Sequence, residues 1–227
     1  MGRKKVLLSW SSGKDSAWAF EVLRRRGDME VVGIFTTINA VFERVAMHAV
    51  RKELLVMQAD SIALPLSVIP IPYPCSGEAY EHVMRDFIAK AKNDGVEYMA
   101  FGDLFLEDVR QYRCRNLEKT GIEPIFPLWG CSTKALADEM VRNGVKARIT
   151  CVDPGKIPAE YAGREFDKFF LESLPSGCDP CGENGEFHSF VYDGPFFKKP
   201  LRIKTGDIVV RDQFVFADIL PGDEIED

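Results

Sequence analysis

The residues with the clearest chemical potential are the six of Ser11-Ser12-Gly13-Lys14-Asp15-Ser16, which lie between an apolar run and an amphipathic helical pattern. Small hydroxyls, a glycine that lets a ligand approach the backbone, and a lysine stand where a helix begins, and helix N-termini attract anions. The segment therefore predicts a cradle for phosphate, although it lacks the G-x-x-x-x-G-K-[ST] spacing of a Walker A loop. The alternative is a polar helix start, with Ser11 or Ser12 as N-cap and Asp15 in the first turn.

A second set of reactive side chains lies near the carboxyl end of the chain, at Glu183, Glu186 and His188. If residues 186–192 form a strand, Glu186 and His188 project from the same face, because side chains alternate along a strand. A carboxylate and an imidazole on one face could act as a base or contact a substrate. The alternative is a solvated strand face.

Charged side chains also follow the fourth predicted strand, where Gly102 and Asp103 precede Arg113 and Arg115. Because ligands bind at the carboxyl ends of strands in open α/β sheets, we expect these residues at the same edge as the loop. The two arginines could bind an anionic acceptor or simply form a charged helix face. His48 follows the second predicted strand, so it either contacts nucleotide or substrate, or packs at a helix start.

The six cysteines do not indicate disulfides, because thiols stay reduced in the cytoplasm. The pair in Cys178-Asp179-Pro180-Cys181 could be half of a metal site or a redox pair. A zinc site needs two further ligands, and the sequence has no second C-x-x-C and no close histidine pair. We therefore predict no metal-binding residues, and loop packing beside the site for this pair.

An alternation of strands and helices must position these residues. Apolar runs separated by helical patterns favour an α/β fold with a doubly wound, mostly parallel sheet. The predicted strands are 5–10, 30–37, 66–71, 97–101, 122–127 and 145–152. The predicted helices are 15–26, 46–59, 77–93, 107–119, 133–143 and 164–174.

The composition of the sequence changes after Asp153-Pro154-Gly155, where glycine and proline become frequent. Short antiparallel pieces are predicted at 186–192, 201–204 and 208–220. We therefore expect a nucleotide-binding domain at residues 1–135 and a smaller α+β substrate domain at residues 136–227.

The composition limits the classes of function. The chain has 227 residues, a formal net charge of −6 and a pI of about 5.3. Nucleic-acid coats need a basic face to displace counterions from phosphates, so no nucleic-acid partner is expected. The first apolar run is too short for a signal peptide, and no window is typical of a membrane span. We expect a soluble, cytoplasmic protein without membrane contacts.

Two motifs resemble known families. The loop is similar to S-G-G-x-D-S, the signature of the PP-loop ATP pyrophosphatases, with Ser12 in place of the first glycine. The stretch 182–197 (GENGEFHSFVYDGPFF) resembles the carboxy-terminal signature of the diphthine–ammonia ligase family, G-E-G-G-E-[FY]-x-[ST] followed by an acidic-x-P-F stretch. Gly102-Asp103 with Arg113, and Phe126-Pro127-Leu128-Trp129, resemble the middle segment of that family. The two end motifs together are highly specific in a chain of this length.

The resemblance implies a PP-loop domain, a smaller carboxy-terminal domain, an active site between them, and ATP and Mg²⁺ as cofactors. A substrate carboxylate would attack the α-phosphate to give an acyl-adenylate and pyrophosphate, and ammonia would then displace AMP. The catalytic residues would be Lys14, Asp15 and Glu186. The ATP-binding residues would be Ser11, Ser12, Gly13, Lys14, Asp15, Ser16, Phe35, Thr36 and Gly102. The acceptor-binding residues would be His48, Asp103, Arg113, Arg115, Glu183, Asn184, Glu186 and His188.

Two departures from the family pattern leave the acceptor open. Asn184 replaces a family glycine, and His188 stands where these ligases commonly have Glu, as in a bacterial-type branch with a G-E-N-G-E-F-H motif. Diphthine is carried by an elongation factor of archaea and eukaryotes, so the carboxylate of this chain's substrate could be borne by a small molecule or a protein. No glutaminase domain fits in the remaining residues, so free ammonia or a partner would supply the nitrogen.

Two other functions stay open at this point. One is a sensor that binds ATP or AMP without turnover, and the other is a tRNA-thiolating PP-loop enzyme that uses Cys178 and Cys181. A sensor has no need of Glu183, Glu186 and His188 facing the cleft, and the acidic pI opposes a tRNA substrate. The sequence is also compatible with a homodimer.

Overall fold

The computed structural model describes residues 2–42, 44–45 and 50–223, which form two β-sheets flanked by helices. The strands are β1 (Lys4–Ser9), β2 (Met29–Asn39), β3 (Arg44–Val45), β4 (Leu66–Ile71), β5 (Tyr98–Ala100), β6 (Glu123–Ile125), β7 (Lys146–Val152), β8 (Phe187–Asp193), β9 (Ile203–Arg211) and β10 (Phe214–Pro221). The α-helices are α1 (Lys14–Arg25), α2 (Lys52–Ile62), α3 (Gly77–Asn93), α4 (Glu107–Leu117), α5 (Thr133–Arg142) and α6 (Lys168–Ser173).

The larger sheet, sheet A, is mostly parallel and is built around β1. This strand pairs in parallel with β2 on one side and β5 on the other, while β4 continues beyond β2 and β6 beyond β5. The short β3 pairs antiparallel with the end of β2. Val6 and Leu8 of β1 are fully buried on one face of the sheet, and Leu7 packs against apolar residues on the other face, as expected of a central strand. The prediction of a doubly wound, mostly parallel sheet is confirmed.

The helices of the first half cover both faces of sheet A. Helices α1 and α2 belong to one hydrophobic core, and α3 and α4 belong to another. The chain runs outward from β1 to β2 and β4, then returns past β1 to β5 and β6. Since crossovers are right-handed, this reversal moves the later helices to the opposite face. The reversal lies between β1 and β5, where ligands bind in open α/β sheets.

The smaller sheet, sheet B, is antiparallel in the order β8-β7-β10-β9. The prediction that residues 145–152 continue the parallel sheet is wrong, because β7 pairs antiparallel with β8 and β10. An apolar run indicates burial on both faces but carries no information on the direction of the partner strands. The core under sheet B is continuous with the core of α1 and α2, so the two sheets pack as one body.

Two further expectations need correction. The stretch predicted as one piece at 208–220 is a hairpin of β9 and β10, turning at Asp212 and Gln213 with φ of 47° and 73°. The turn lacks the glycine that commonly marks such hairpins. The helix predicted at 46–59 is α2, which begins at Lys52, and residues 46–49 lie outside the described residues. No helix in the described ranges combines the length and the apolarity needed to cross a membrane.

Gly102, just after β5, packs closely against the start of α1, and a substitution there can measure how close this packing is. A Cβ atom added at Gly102 would lie 3.0 Å from Ser16 N and 3.1 Å from Asp15 C. Backbone atoms cannot move aside as a flexible side chain can, so we expect Gly102→Ala to lower the free energy of unfolding by about 1–3 kcal/mol in urea titrations. Gly27→Ala is the control, since nothing lies within 4 Å of its added Cβ. Equal stability of the two variants would contradict the close packing.

Candidate active site

The candidate site is a cleft at the carboxyl ends of β1 and β5, closed on one side by the segment that precedes and begins β8. It has two connected parts. The polar chamber, of about 230 Å³, lies over the α1 N-terminus, and the apolar chamber, of about 630 Å³, extends over β2 toward α3 and α4. The residues shared by both chambers are Ser9, Ser11, Phe101, Arg113, Glu183 and His188.

The loop at residues 11–16 forms one wall of the polar chamber, and its own hydroxyls hold its shape. The Ser16 hydroxyl donates to Gly13 O at 2.9 Å and accepts from Ser11 N at 3.3 Å, while the Ser11 and Ser16 hydroxyls lie 3.1 Å apart. Gly13 N donates to Ser11 Oγ at 3.4 Å. Ser12 has a left-handed φ of 71°, which explains why the related motif has glycine there.

Three contacts join the loop to β8 and to the segment that precedes it. Val191 N in β8 donates to Ser12 O at 2.9 Å, and Lys14 N donates to Ser189 Oγ at 3.2 Å. The Lys14 ammonium donates to the carbonyl of Cys181 and, at 2.9 Å, to Asp15 Oδ2. The phosphate-type loop and the carboxy-terminal motif are therefore hydrogen-bonded to each other.

Lys14 is buried between the two parts of the molecule. Its Nζ lies 5.5 Å from the ring centroid of Phe166 and 5.1 Å from that of Phe187, a geometry suited to cation–π attraction. Burial alone would lower the pKa of Lys14, but the adjacent Asp15 carboxylate reverses the effect and the pKa lies above its usual value. Lys14 is therefore a fixed positive charge in the polar chamber.

Three carboxyl groups meet around this charge, from Asp15, Asp103 and Glu183. Burial raises the pKa of Glu183 to about 7, and the neighbouring Asp15 and Asp103 charges act in the same direction. Leu104 N donates to Glu183 Oε1 at 2.8 Å, which opposes part of that rise. Burial also raises the pKa of Asp103, although Arg113 acts against it. A pKa of about 7 makes Glu183 a carboxyl group suited to proton transfer near neutral pH.

Arg113 stands at the junction of the two chambers. Its Nε lies 3.6 Å from Asp103 Oδ2, and its guanidinium lies 5.0 Å from the ring centroid of Phe101. Arg113 also lines both chambers, so it can meet an anion in either one. Asp103 and Arg113 come together as the sequence analysis expects.

The apolar chamber contains the positions expected to meet a nucleotide base. Phe35 and Thr36 in the second half of β2 line it, together with Phe101 and Tyr80. The chamber is mostly apolar, with polar backbone and side-chain groups at its margin, as ligand pockets usually are. Gly102 lines the polar chamber instead.

His188 and Asn184 also reach the cleft. Burial lowers the pKa of His188 to about 4, and the Lys14 charge acts in the same direction, so the imidazole is neutral at pH 7. Asn184 lines the apolar chamber and its Nδ2 donates to Glu186 Oε1 at 3.2 Å. The structure therefore gives the cleft one neutral imidazole rather than an imidazolium.

Of the expected residues that the structure describes, four line neither chamber, namely Ser12, Gly13, Glu186 and Arg115. The Glu186 side chain is buried in the loop before β8, where its Oε1 accepts from Asp179 N at 3.0 Å, and it is not among the cleft-lining residues. A catalytic role for Glu186 stays a prediction, and its geometry indicates loop bracing. Arg115 lines a separate groove between α3 and α4. His48 lies outside the described residues.

The cysteine pair does not have the properties of a reactive or metal-binding pair. Burial raises the pKa of Cys178 to about 11 and raises the pKa of Cys181 further. Cys181 Sγ lies 3.3 Å from Thr133 O, to which it donates, and its own carbonyl accepts from Lys14. Across the part of the chain that the structure describes, no group of three or more His, Cys, Asp or Glu residues could hold a metal ion.

Two residues that position the loop escaped the sequence analysis. Ser189 binds Lys14 N, but an isolated serine in a strand has no distinguishing signal. Gln58 is fully buried and donates to Ser12 O. The sequence could have indicated Gln58, because a polar residue four positions after Leu54 lies on the apolar face of α2.

Comparisons with known proteins find matches to both halves of the chain. Residues 4–124 match the family model described as the diphthamide synthase N-terminal domain, and residues 132–224 match the diphthamide synthase C-terminal domain. A diphthine–ammonia ligase of Bos taurus is 26% identical over 195 residues, covering 79% of this chain and 71% of that protein. The Homo sapiens enzyme of the same name is 25% identical over the same shares. One from Danio rerio is 30% identical, over 56% of this chain and 50% of that protein. These matches confirm the resemblance carried by the two end motifs.

The raised pKa of Glu183 predicts a specific pH dependence of stability. Because the carboxyl binds a proton more tightly in the folded chain, its ionisation destabilises the fold as pH rises from about 4.5 to about 7. Glu183→Gln keeps an acceptor for Leu104 N and cannot ionise. We expect the variant to gain about 1–2 kcal/mol relative to wild type at pH 8 and nothing at pH 4, in urea titrations. Glu118→Gln, at an exposed carboxyl, is the control for removal of a charge. The prediction would be contradicted if Glu183→Gln raised the free energy of unfolding by the same amount at every pH.

Ser12 predicts a stabilising substitution. It has a left-handed φ and a fully buried hydroxyl without a hydrogen-bond partner in the structure. Glycine relieves both penalties, while the added freedom of the unfolded chain offsets part of the gain, so Ser12→Gly should raise the free energy of unfolding by about 1 kcal/mol. Ser16→Gly, which removes a bonded hydroxyl from α1, should lower it. A loss of stability in Ser12→Gly, measured by urea denaturation, would contradict this account.

Proposed function

The chain belongs to the diphthamide synthase family and is an ATP-dependent amide ligase; we propose that it adenylates a carboxylate and then converts it to an amide with ammonia. The observation that carries the proposal is the meeting of the 11–16 loop and the carboxy-terminal motif in one cleft, with Lys14 and Asp15 opposite Glu183. The two chambers match the two ends of ATP. In this proposal residues 1–135 bind the nucleotide and residues 136–227 complete the acceptor side.

ATP binds with its phosphates in the polar chamber and its base in the apolar chamber. The β- and γ-phosphates meet the loop and the start of α1, where backbone N–H groups and the helix dipole favour negative charge. The carboxylate oxygen of the acceptor attacks the α-phosphorus, and the bond from that phosphorus to the pyrophosphate oxygen breaks. Charge grows on the leaving pyrophosphate, and Lys14, held charged by Asp15, offsets it.

The carboxylates of the polar chamber fit Mg²⁺ that arrives with ATP. Asp15 Oδ1 and Asp103 Oδ2 are buried and have no hydrogen-bond partner in the structure. Mg²⁺ bound with a nucleotide commonly uses one or two protein carboxylates beside the phosphates and waters, so a cage of three or more protein ligands is not required. Asp15 and Asp103 would hold the ion, which supplies neutralisation of phosphate charge when bound.

Arg113 is suited to hold the acceptor. It lies at the junction of the chambers, next to the position that the α-phosphate would take between base and pyrophosphate. Its guanidinium can bind a carboxylate and keep the attacking oxygen beside the phosphorus. In the curated relatives the acceptor is named as diphthine. For this chain we propose a carboxylate acceptor, borne by a small molecule or a protein.

Glu183 is suited to prepare ammonia for the second step. Ammonia is largely ammonium at neutral pH, and the chamber's carboxylates attract that cation. With a pKa of about 7, Glu183 can take a proton from ammonium and leave neutral ammonia. The nitrogen then attacks the acyl carbon, the bond from that carbon to the AMP oxygen breaks, and the amide loses its extra proton to the site.

Neither alternative function gains support from the geometry. The high pKa of the Cys178 thiol disfavours the thiolate that sulfur transfer to tRNA would need. A sensor without turnover gives no reason for Glu183 to be held, with a raised pKa, between Asp15 and Leu104 N.

The proposal predicts an oxygen transfer. With Mg-ATP and an acceptor carboxylate, wild-type protein should release pyrophosphate, and one ¹⁸O atom of a labelled carboxylate should appear in AMP after ammonium is added. Lys14→Ala and Asp15→Ala should abolish pyrophosphate release, while Glu186→Ala should keep ATP binding because its carboxylate braces the loop before β8. Circular dichroism checks that each variant folds. The proposal would be overturned in favour of a sensor if the protein binds ATP but releases no pyrophosphate, either with small carboxylates or with a diphthine-bearing elongation factor.

A further inference from the structure

Gln58 is a buried amide at the junction of the two sheets. It lies in α2, is fully buried, and none of the cleft-lining sets includes it. Its Nε2 donates to Ser12 O at 3.0 Å and to Val191 O at 2.6 Å, and its Oε1 accepts from Trp10 Nε1 at 2.8 Å. The indole N–H can only donate and both carbonyls can only accept, so the partners themselves fix which end of the amide is which.

Two of the three partners belong to segments that build the polar chamber, since Ser12 is the left-handed residue of the loop and Val191 lies in β8. The third, Trp10, follows β1 and lines the apolar chamber. Ser12 O receives two donors, Gln58 Nε2 and Val191 N. Because Ser12 has an unfavourable φ of 71°, its conformation needs outside support, and these two hydrogen bonds supply it.

We propose that Gln58 is a positioning residue for pyrophosphate binding, which holds the phosphate loop in register with β8 without touching the nucleotide. The inference rests on the proposed function, since it takes the loop to hold the phosphates of ATP. Gln58 fixes the carbonyl of Ser12 on the sheet B side, and the next two backbone N–H groups, of Gly13 and Lys14, donate to the hydroxyls of Ser11 and Ser189 in the wall of the polar chamber. Loss of the amide therefore weakens binding of the phosphate end of ATP and leaves the adenosine end unaffected.

The chain offers a matched control on the same helix. Ser61, three residues after Gln58, is also buried, and its hydroxyl donates to Lys199 O at 2.7 Å. It therefore joins α2 to the carboxy-terminal part as Gln58 does, but it makes no contact with the loop. If Gln58 had only a structural role, Gln58→Met and Ser61→Ala would differ only in how far each lowers the free energy of unfolding.

The test compares the affinities of three probes by calorimetry, namely Mg-ATP, inorganic pyrophosphate with Mg²⁺, and adenosine. We expect Gln58→Met to weaken the binding of Mg-ATP and pyrophosphate about tenfold, the effect of roughly one buried hydrogen bond, and to change adenosine affinity less than twofold. Ser61→Ala should leave all three affinities within twofold of wild type. Equal losses for adenosine and pyrophosphate, or unchanged pyrophosphate affinity in Gln58→Met, would overturn the proposal.

A second variant separates positioning from a general loss of folding. Gln58→Glu keeps the acceptor for Trp10 but sets a carboxylate against two carbonyl oxygens, and protonation restores one donor. We expect its pyrophosphate affinity, expressed as a ratio to wild type at the same pH, to recover as pH is lowered; a pH-independent ratio would contradict the proposal. If wild-type protein binds neither Mg-ATP nor pyrophosphate, the proposed function fails instead, so the two failures are distinguishable.

Discussion

The buried ammonium of Lys14 is the interaction on which the site depends. An ammonium removed from water costs several kcal/mol unless its protons find acceptors and a counter-charge is near. Here Asp15 from the same loop and the carbonyl of Cys181, just before the carboxy-terminal motif, satisfy it, and the rings of Phe166 and Phe187 lie against it. Since the charge is satisfied only when both parts are in place, Lys14 couples the shape of the loop to the docking of sheet B.

That coupling determines the electrostatics of the cleft. Lys14 and Arg113 face the carboxyl groups of Asp15, Asp103 and Glu183 in the polar chamber. In the proposed function, Mg²⁺ that arrives with ATP and ammonium in the second step would balance the charge of these carboxyl groups. The raised pKa of Glu183 follows from the same crowding and from burial, and it makes this carboxyl responsive to which cation is present.

The sequence predicted the features that depend on local residue chemistry, and it did not predict those that depend on how the elements pack. Residue types and spacing were enough to locate the 11–16 loop, the strands that lead to it, and the motif that contains Glu183 and His188. The direction of β7 could not, because burial on both faces looks the same in parallel and antiparallel sheets. His188 lines the cleft, but the predicted alternation does not place Glu186 beside it, because Glu186 precedes β8 and its carboxylate accepts from Asp179 N. Arg115 fell on the other side of α4, which a period of 3.6 residues cannot decide without knowing the neighbouring helix.

Two departures from the family pattern have opposite physical consequences. Ser12 replaces a glycine at a left-handed φ, so the chain bears backbone strain that Gln58 and Val191 must counteract. Asn184 also replaces a glycine, but the left-handed positions of that motif are Gly182 and Gly185, with φ of 72° and 79°, and both are kept. The side chain of Asn184 is therefore tolerated, and it gains a hydrogen bond to Glu186 at the margin of the apolar chamber. Asn184 thus adds no backbone strain, whereas Ser12 constrains the loop that would hold the phosphates in the proposed function.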